Sequence, residues 1–320
     1  MKPFRTLAAV ALMTLAGSAL ADGYPSKPVK LIVPFPPGGG TDLLARNVTN
    51  YLSTANKWTV VVDNRPGAGG NIGVDAAAKS APDGYTLVMG QTSNLSISPS
   101  LYAKLNYDPV KDLEPVALVG SGPIAIVVRS DSPYKTLADL VNAAKAKPGS
   151  VTMATSGNGT VAHLTGVRLM TATGAKFEHI PYKGASGAVP DLLGGNVDFF
   201  MSSVPTVSGQ IASGKIRALA VTSAKRSAIL PNVPTVGETV KGFEANTWFG
   251  ILAPAKTPKA IIDTLNAAIN KALQDPGVRK SIEGEGGEVL GGTPEQFAKL
   301  VKSDLAAWTT VVKASGAKVD

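Results

Sequence analysis

The chain contains no cysteine and only two histidines among its 320 residues. The lack of cysteine excludes disulfides, thiolate metal sites and a lipid-anchored cysteine. With so few histidines a metal centre would need oxygen ligands alone, and no calcium-loop pattern occurs. Gly-x-Ser-x-Gly, His-Glu-x-x-His and Ser-x-x-Lys are also missing from catalytic contexts. We therefore expect no metal and no cofactor, and an enzyme is the weaker class of function.

Charge is not concentrated in any part of the sequence. The 31 Lys and Arg residues outnumber the 23 Asp and Glu residues, which gives a net charge of +8, and they are scattered along the chain. A nucleic-acid-binding surface needs a basic stripe with stacking aromatics, and aromatic residues make up only 6% of the chain. We therefore expect no nucleic acid partner. A weakly basic receptor for anions is compatible with this balance.

The first residues have the pattern of an export signal. Lys2 and Arg5 form a short basic region, an apolar run covers residues 7–15, and Ala19-Leu20-Ala21 offers a small-x-small cleavage site. The apolar run is too short to span a bilayer comfortably. We interpret residues 1–21 as a cleaved secretory signal, with the mature protein free in the periplasm.

A glycine-rich loop follows the first predicted strand. The apolar residues 29–33 lead into Pro34-Phe35-Pro36-Pro37-Gly38-Gly39-Gly40-Thr41-Asp42, and a helical pattern extends from there to about residue 56. Backbone N–H groups at a helix start lack partners within the helix, and the dipole makes that end positive. This pattern favours a loop that binds an anion, most simply a carboxylate. The alternative, an ordinary turn between a strand and a helix, stays open.

Known phosphate-binding loops do not match this segment. The three glycines and Thr41 are not followed by Lys-Ser or Lys-Thr, as a nucleotide P-loop requires. The glycine spacing also differs from the dinucleotide-binding fingerprint, and no suitably placed acidic residue ends a second strand. The loop therefore does not predict nucleotide binding.

The pattern of strand, glycine turn and helix recurs along the chain. A second copy has its turn at residues 64–71 and a third at residues 156–160, after a strand at 151–155 and before a helix at 161–173. Strands that alternate with helices predict an α/β fold with a parallel sheet, whose ligands bind at the carboxyl ends of the strands.

Several motifs in register make the whole mature chain resemble one family. They are Tyr24-Pro25-Ser26-Lys27-Pro28-Val29, the loop over residues 34–42, Asn64-Arg65-Pro66-Gly67-Ala68-Gly69-Gly70, Ala81-Pro82-Asp83-Gly84-Tyr85-Thr86-Leu87, Pro181-Tyr182-Lys183-Gly184, Gly214-Lys215-Ile216-Arg217-Ala218-Leu219-Ala220, Pro231-Asn232-Val233-Pro234-Thr235 and Trp248-Phe249-Gly250-Ile251-Leu252-Ala253-Pro254. In this order they resemble the extracytoplasmic solute receptors of tripartite tricarboxylate transporters, the Bug or TctC-type family.

The resemblance implies a type II periplasmic binding protein, with two α/β lobes joined by two crossover strands and a ligand cleft between them. We expect lobe 1 over residues 22–122 and 246–320, and lobe 2 over residues 123–245. The Gly120-Ser121-Gly122-Pro123 break between two apolar runs suits the first crossover, and residues 248–253 suit the return. Such a receptor would be a monomer that closes on a small organic carboxylate and delivers it to membrane permease subunits.

The candidate ligand-binding residues belong to the glycine turns and the strand ends. They are Phe35, Gly38, Gly39, Thr41, Asp42, Ala68, Gly69, Thr92, Ser93, Ser156, Gly157, Asn158, Gly159, Thr160, His163, Tyr182, Gly184 and Ser202. A structural role stays open for His163 and Tyr182, and it is the favoured role for His179, Asp198 and Arg65.

Anion sites in both lobes favour a dicarboxylate as the ligand. An aromatic monocarboxylate is the second candidate, with Phe35 and Tyr182 as contacts for its ring. Two other functions stay open, a carboxylate sensor that signals to a membrane kinase and, with less support, a periplasmic enzyme.

Overall fold

The computed structural model describes residues 23–315, 317 and 319. The predicted signal over residues 1–21 lies outside the described residues. None of the helices in the described part of the chain is long and apolar enough to cross a membrane.

Three parallel strands form the centre of the first lobe: β1 (Val29–Val33), β2 (Val60–Asn64) and β3 (Thr86–Gln91). β1 lies between the other two, so that Leu31 pairs with Val62 on one side and Leu87 on the other. Helices α1 (Gly40–Ala55) and α2 (Asn71–Ala78) both contact β1. Because the sheet is buried on both faces, β1 is an almost continuous apolar run. A 3-10 turn (Ala68–Gly70), a π-helical turn (Ser93–Ile97) and α3 (Ser98–Leu101) complete this part.

The long strand β4 (Leu113–Arg129) belongs to both lobes. Its first part pairs antiparallel with β9 (Asn246–Pro254) as far as Pro123, and from Ile124 onward it pairs with β7 (Phe199–Ser203) and β8 (Ile216–Val221) instead. The first crossover was predicted at this glycine break. The return was predicted over residues 248–253, but those residues already pair with β3 and β4 inside the first sheet. The chain passes between the lobes just before them, where the Ala245 N–H donates to the Thr222 carbonyl.

The second lobe is built on the order β8-β4-β7-β5-β6. Its strands are β5 (Val151–Thr155), β6 (Phe177–Pro181), β7 (Phe199–Ser203) and β8 (Ile216–Val221). Its helices are α4 (Leu137–Ala146), α5 (Val161–Thr173), α6 (Ala185–Gly194) and α7 (Val204–Ala212), with a 3-10 turn at Val236–Glu238. The third unit of strand, glycine turn and helix has its strand at Val151–Thr155 and its helix at Val161–Thr173, as predicted. The domain limits at residues 122 and 246 stay a prediction.

The last segment returns to the first lobe and then reaches the second. It contains α8 (Lys259–Gln274), α9 (Pro276–Gly284), β10 (Glu288–Val289) and α10 (Pro294–Ser315). Phe297 and Val301 on α10 pack in the core beside β1 and β3, whereas Trp308 and Val312 pack in the core of the second lobe. A single helix of 22 residues is therefore anchored in both lobes.

Candidate ligand-binding site

A cavity lies between the two lobes at the carboxyl ends of β1, β3, β5 and β7. It contains about 500 Å³ of empty space, including its mouth. Eight of the predicted residues line it: Phe35, Gly39, Thr41, Ser93, Ser156, Thr160, Gly184 and Ser202. They come from both lobes, which the structure brings together in a closed arrangement.

Four helices of the described chain begin at this cavity. The residues that precede them, Gly39 before α1, Thr160 before α5, Gly184 before α6 and Ser203 before α7, all line it. The positive ends of four helix dipoles therefore converge on one space. None of the described residues that line this cavity is Lys, Arg, His, Asp or Glu. The field that can attract an anion here comes from backbone and hydroxyl groups.

Two hydrogen bonds join the lobes directly beside the cavity. The Gly40 N–H donates to Thr206 Oγ1 at 2.9 Å, and the Val161 N–H donates to Ser93 Oγ at 3.2 Å. In each case a first-turn N–H of a helix in one lobe has a hydroxyl oxygen of the other lobe as its acceptor. These two donors are therefore aimed across the cleft.

Thr247, at the start of β9, carries a buried hydroxyl with no partner among the described residues. Its Oγ1 is inaccessible to solvent, the residue is 3% exposed, and it lines the cavity. A buried hydroxyl without a hydrogen bond destabilises a folded protein by about 1–3 kcal/mol. Thr247 is thus a residue of the cavity wall whose hydroxyl has no hydrogen-bond partner among the described residues.

The carboxylate of Asp42 supports the first glycine loop and does not line the cavity. It accepts from the Gly38 N–H (3.0 Å), from Arg46 Nε (2.8 Å) and from Asn64 Nδ2 (3.0 Å). Burial alone would raise the pKa of Asp42, but these hydrogen bonds outweigh it and lower the pKa. Asp42 is thus an anion turned away from the cavity, and its partners hold the loop in shape. Gly38 likewise takes part in this support.

The third glycine turn, residues 156–160, is supported by His163. Its Nδ1 accepts from the Gly159 N–H at 3.2 Å, and its own backbone N–H donates to Thr160 Oγ1. Its ring stacks on that of His179, whose Nε2 is 2.7 Å from Thr155 Oγ1. Neither His163 nor Gly159 lines the cavity. The ring of His163 instead fixes the loop that ends in Thr160.

The second of the three predicted glycine turns does not reach the main cavity. A neighbouring cavity, which shares Phe35 and Ser156 with the main one, is lined by Ala68, Gly69, Gly157, Asn158 and Tyr182. The lobes come so close there that a Cβ at Gly69 would lie 3.0 Å from the Asn158 carbonyl oxygen. The second glycine turn therefore faces the third glycine turn, residues 156–160, in the other lobe.

Four further side chains have partners away from the main cavity. The Tyr182 hydroxyl donates to Asp191 Oδ2 at 2.5 Å, and burial together with this carboxylate raises its pKa to about 12. Thr92 Oγ1 accepts from the Trp248 N–H. Asp198 Oδ2 accepts from the backbone and the hydroxyl of Thr152, so it bridges two segments of the second lobe. Arg65 pairs with Asp63 at 2.8 Å.

The remaining lining residues were not among the predicted ones. They are Pro36, Gly40, Gln91, Ile124, Val161, Ala162, Ala185, Ser203, Thr206 and Thr247. The start of α7 was detectable, because Ser203 directly precedes Val204 and Pro205, and serine followed by an early proline is typical of a helix start. No local pattern marks Thr247. In residues 23–315, no group of three acidic or histidine side chains could hold a metal.

A family model described as "Tripartite tricarboxylate transporter family receptor" matches residues 44–317. Protein BugT of Bordetella pertussis is 41% identical over 312 residues, which cover 97% of this chain and 96% of BugT. Both findings agree with the resemblance seen in the sequence motifs.

Solved structures give the same result for the fold. A Rhodopseudomonas palustris protein solved with adipate has a TM-score of 0.90 at 34% identity, covering 92% of this chain and all of that one. MatC of the same species, solved with bound malate, has a TM-score of 0.85 at 30% identity, covering 90% of this chain and all of MatC. The prediction of a periplasmic binding protein fold is thereby confirmed.

Proposed function

This chain belongs to the tripartite tricarboxylate transporter receptor family, and from that premise we propose that it binds a small dicarboxylate in the periplasm for a tripartite transporter. Receptors of this kind bind a solute and release it unchanged, so the role is binding and not catalysis. The observation that carries the proposal is the convergence of four helix N-termini on one cavity without charged side chains.

Neutral donors suit a receptor that must bind and then release an anion. One helix N-terminus contributes about 0.3–1 kcal/mol when exposed and up to about 2 kcal/mol when partly buried. Four of them, with hydroxyl donors in a closed cleft, are of the order needed for micromolar binding, about 8 kcal/mol. A buried lysine or arginine is not required to reach that figure.

A dicarboxylate matches donors that come from both lobes. One carboxylate would accept from the first turn of α1, and the other from the first turns of α5 to α7. The hydroxyls of Ser93 and Thr206, which now accept from the opposite lobe, would then turn to ligand oxygens. Relatives solved with adipate and with malate support this ligand class.

The partners follow from the family. We propose that the monomer, exported through its signal, delivers the acid to membrane permease subunits. Residues of the first and third glycine turns and Ser202 contact the ligand directly, whereas Asp42, His163 and Tyr182 keep the loops in place.

Isothermal titration calorimetry of the mature protein with malate, succinate and adipate tests the proposal. We expect at least one acid to bind with a Kd of about a micromolar. Thr247→Val should weaken that binding about tenfold, because a hydrogen bond to a charged group is lost. The ligand-free variant should unfold at the same or a higher temperature, because its buried hydroxyl has no partner to lose.

Thr222→Val is the matched control. Its buried hydroxyl accepts from the Ile124 N–H and donates to the Ala245 carbonyl, so its removal should lower stability by about 1–3 kcal/mol. Failure of every organic acid to bind the wild-type protein would contradict the proposed function. A Thr247→Val variant as unstable as Thr222→Val would contradict a ligand role for Thr247.

A further inference from the structure

A second cavity lies beside the main one, with Phe35 and Ser156 in the walls of both, and we name it the distal pocket. Its walls come from residues 67–70 and Tyr102 of the first lobe and from residues 156–158 and 181–183 of the second. It holds about 770 Å³ of empty space, against about 500 Å³ in the main cavity. The two cavities share Phe35 and Ser156, so a ligand that passes between these side chains would occupy both.

The distal pocket differs from the main cavity in its charge. Lys183 lines it, and no other described residue of its lining is a Lys, Arg, His, Asp or Glu. Lys183 is exposed and forms no ion pair with a described residue. The acid closest in sequence, Glu178, forms no ion pair with it, and Asp191 accepts from the Tyr182 hydroxyl. The ammonium group of Lys183 therefore has no carboxylate partner among the described residues.

We propose that the distal pocket is a second subsite, which selects elongated dicarboxylates of adipate length or longer by pairing their far carboxylate with Lys183. This inference rests on the proposed function, because the near carboxylate must occupy the helix N-termini of the main cavity. The carbon chain then lies against Phe35, which is only 8% exposed. A shorter diacid keeps both carboxylates in the main cavity and gains nothing from Lys183.

The walls of the distal pocket also link ligand length to closure. Because each lobe supplies one side, the pocket exists only when the loop at Gly69 meets the loop at Asn158. An elongated diacid contacts both sides and so favours the closed form more than a short one does.

Calorimetry with adipate and hexanoate separates the far carboxylate from the chain, since the two acids differ only at that end. In wild-type protein adipate should bind more tightly than hexanoate. Lys183→Gln should weaken adipate binding about three- to fivefold, as expected for a partly exposed ion pair, and leave hexanoate binding unchanged. The difference should shrink at high salt, where such pairs are screened.

Lys176→Gln is the control, because it removes one exposed positive charge from the same lobe. It should alter neither affinity. If malate binds but adipate does not, or if Lys183→Gln affects both acids equally, the distal subsite is wrong while the receptor function stands. An equal loss in Lys176→Gln would also overturn it, because the effect would then be one of net charge. If no acid binds, the receptor function itself fails.

Discussion

His163 and His179 form a stacked pair beside the third glycine turn, residues 156–160, with ring centroids 4.1 Å apart. Burial lowers the pKa of His163 to about 4, and burial together with the neighbouring ring lowers that of His179 to about 3. Both rings are therefore neutral at neutral pH. Protonation of His163 would put a hydrogen on the Nδ1 that accepts from Gly159 and would break the support of the loop.

This pair predicts a loss of stability in mild acid. Because both pKa values are lower in the folded state than the usual value of about 6.5, the unfolded chain takes up protons first as the pH falls. The free energy of unfolding has its full value above about pH 6.5. Below that pH it decreases by up to about 1.4 kcal/mol per pH unit for each histidine, until the pH reaches the pKa of that histidine in the folded state. His163→Asn keeps an acceptor for Gly159 but cannot be protonated, so its melting temperature should fall less steeply between pH 7 and pH 5. Parallel melting curves for variant and wild type would contradict this role.

At the residue scale, the sequence predicts the loops that form the cavity more reliably than it predicts the side chains that face it. Asp42 was assigned to the ligand, although the Arg46 four residues later is a typical helical ion-pair partner. Its third partner, Asn64, lies 22 residues away in sequence and could not be read from local pattern. The role of Thr247 depends on a contact between lobes and has no sequence signal.

At Gly40, helix α1 makes a tight contact with the second lobe. A Cβ at this position would lie 2.9 Å from Ser203 Oγ and 3.0 Å from Thr206 Oγ1. The backbone of Gly40 has no positive φ, so the glycine is needed for the close approach and not for the conformation of the helix.

Gly40→Ala should therefore separate closure from folding. Alanine is compatible with the first turn of α1, so we expect the ligand-free variant to be as stable as wild type. Ligand binding should weaken about tenfold, because an extra methyl in a tight contact costs about 1–3 kcal/mol. Gly209→Ala, at an exposed position of α7 with open space around the new Cβ, should raise stability by about 0.5–1 kcal/mol and leave binding unchanged. Equal binding by Gly40→Ala and wild type, measured by calorimetry, would refute the closed geometry at α1.

At the scale of the elements, repeated units of strand, turn and helix were predictable from periodicity, and α5 has its predicted bounds. The orientation of each turn was not. Residues 67–71 look like the other two glycine turns, yet they contain a 3-10 turn with Ala68 at φ +48° and face the neighbouring pocket. Which helix starts share a cavity is decided by how the lobes meet, and no local pattern contains that information.

The whole molecule can be tested for closure by a crosslink, because the chain has no cysteine of its own. A Cβ built at Gly184 lies 3.6 Å from the Pro36 Cβ in the opposite lobe, within the range of about 3.5–4.5 Å that a disulfide requires. The Pro36→Cys/Gly184→Cys variant should oxidise to an intramolecular disulfide that locks the cleft. Bound ligand should then dissociate far more slowly than from the reduced protein.

Gly184→Cys alone is the control, since φ +132° at this position strains any side chain and lowers stability with or without a crosslink. Free thiols, counted before and after oxidation, report the bond directly. Two free thiols that persist after oxidation in the presence of saturating ligand would mean that Pro36 and Gly184 do not meet.

For the whole molecule, the α/β class followed from the alternation of elements and the two lobes from the resemblance of several motifs. The break at residues 120–123 indicated the first passage between the lobes. The return was placed a few residues too late. An apolar run such as residues 248–253 has the same sequence pattern whether the strand crosses between the lobes or pairs within one sheet. Pairing with β3 is a long-range contact that an apolar pattern does not specify.

The shared helix α10 restricts how this molecule can move. Its early turns share a core with β1 and β3, its last turns contact α5 of the second lobe, and the Trp248 indole of β9 donates to Asp304 midway along it at 2.7 Å. This helix is about 33 Å long and cannot lengthen. Because it contacts both lobes, we expect the lobes to rotate relative to each other about an axis close to it. A wide opening of the cleft would separate Trp308 from its contacts in the core of the second lobe. We therefore expect the angle through which the two lobes open to be small.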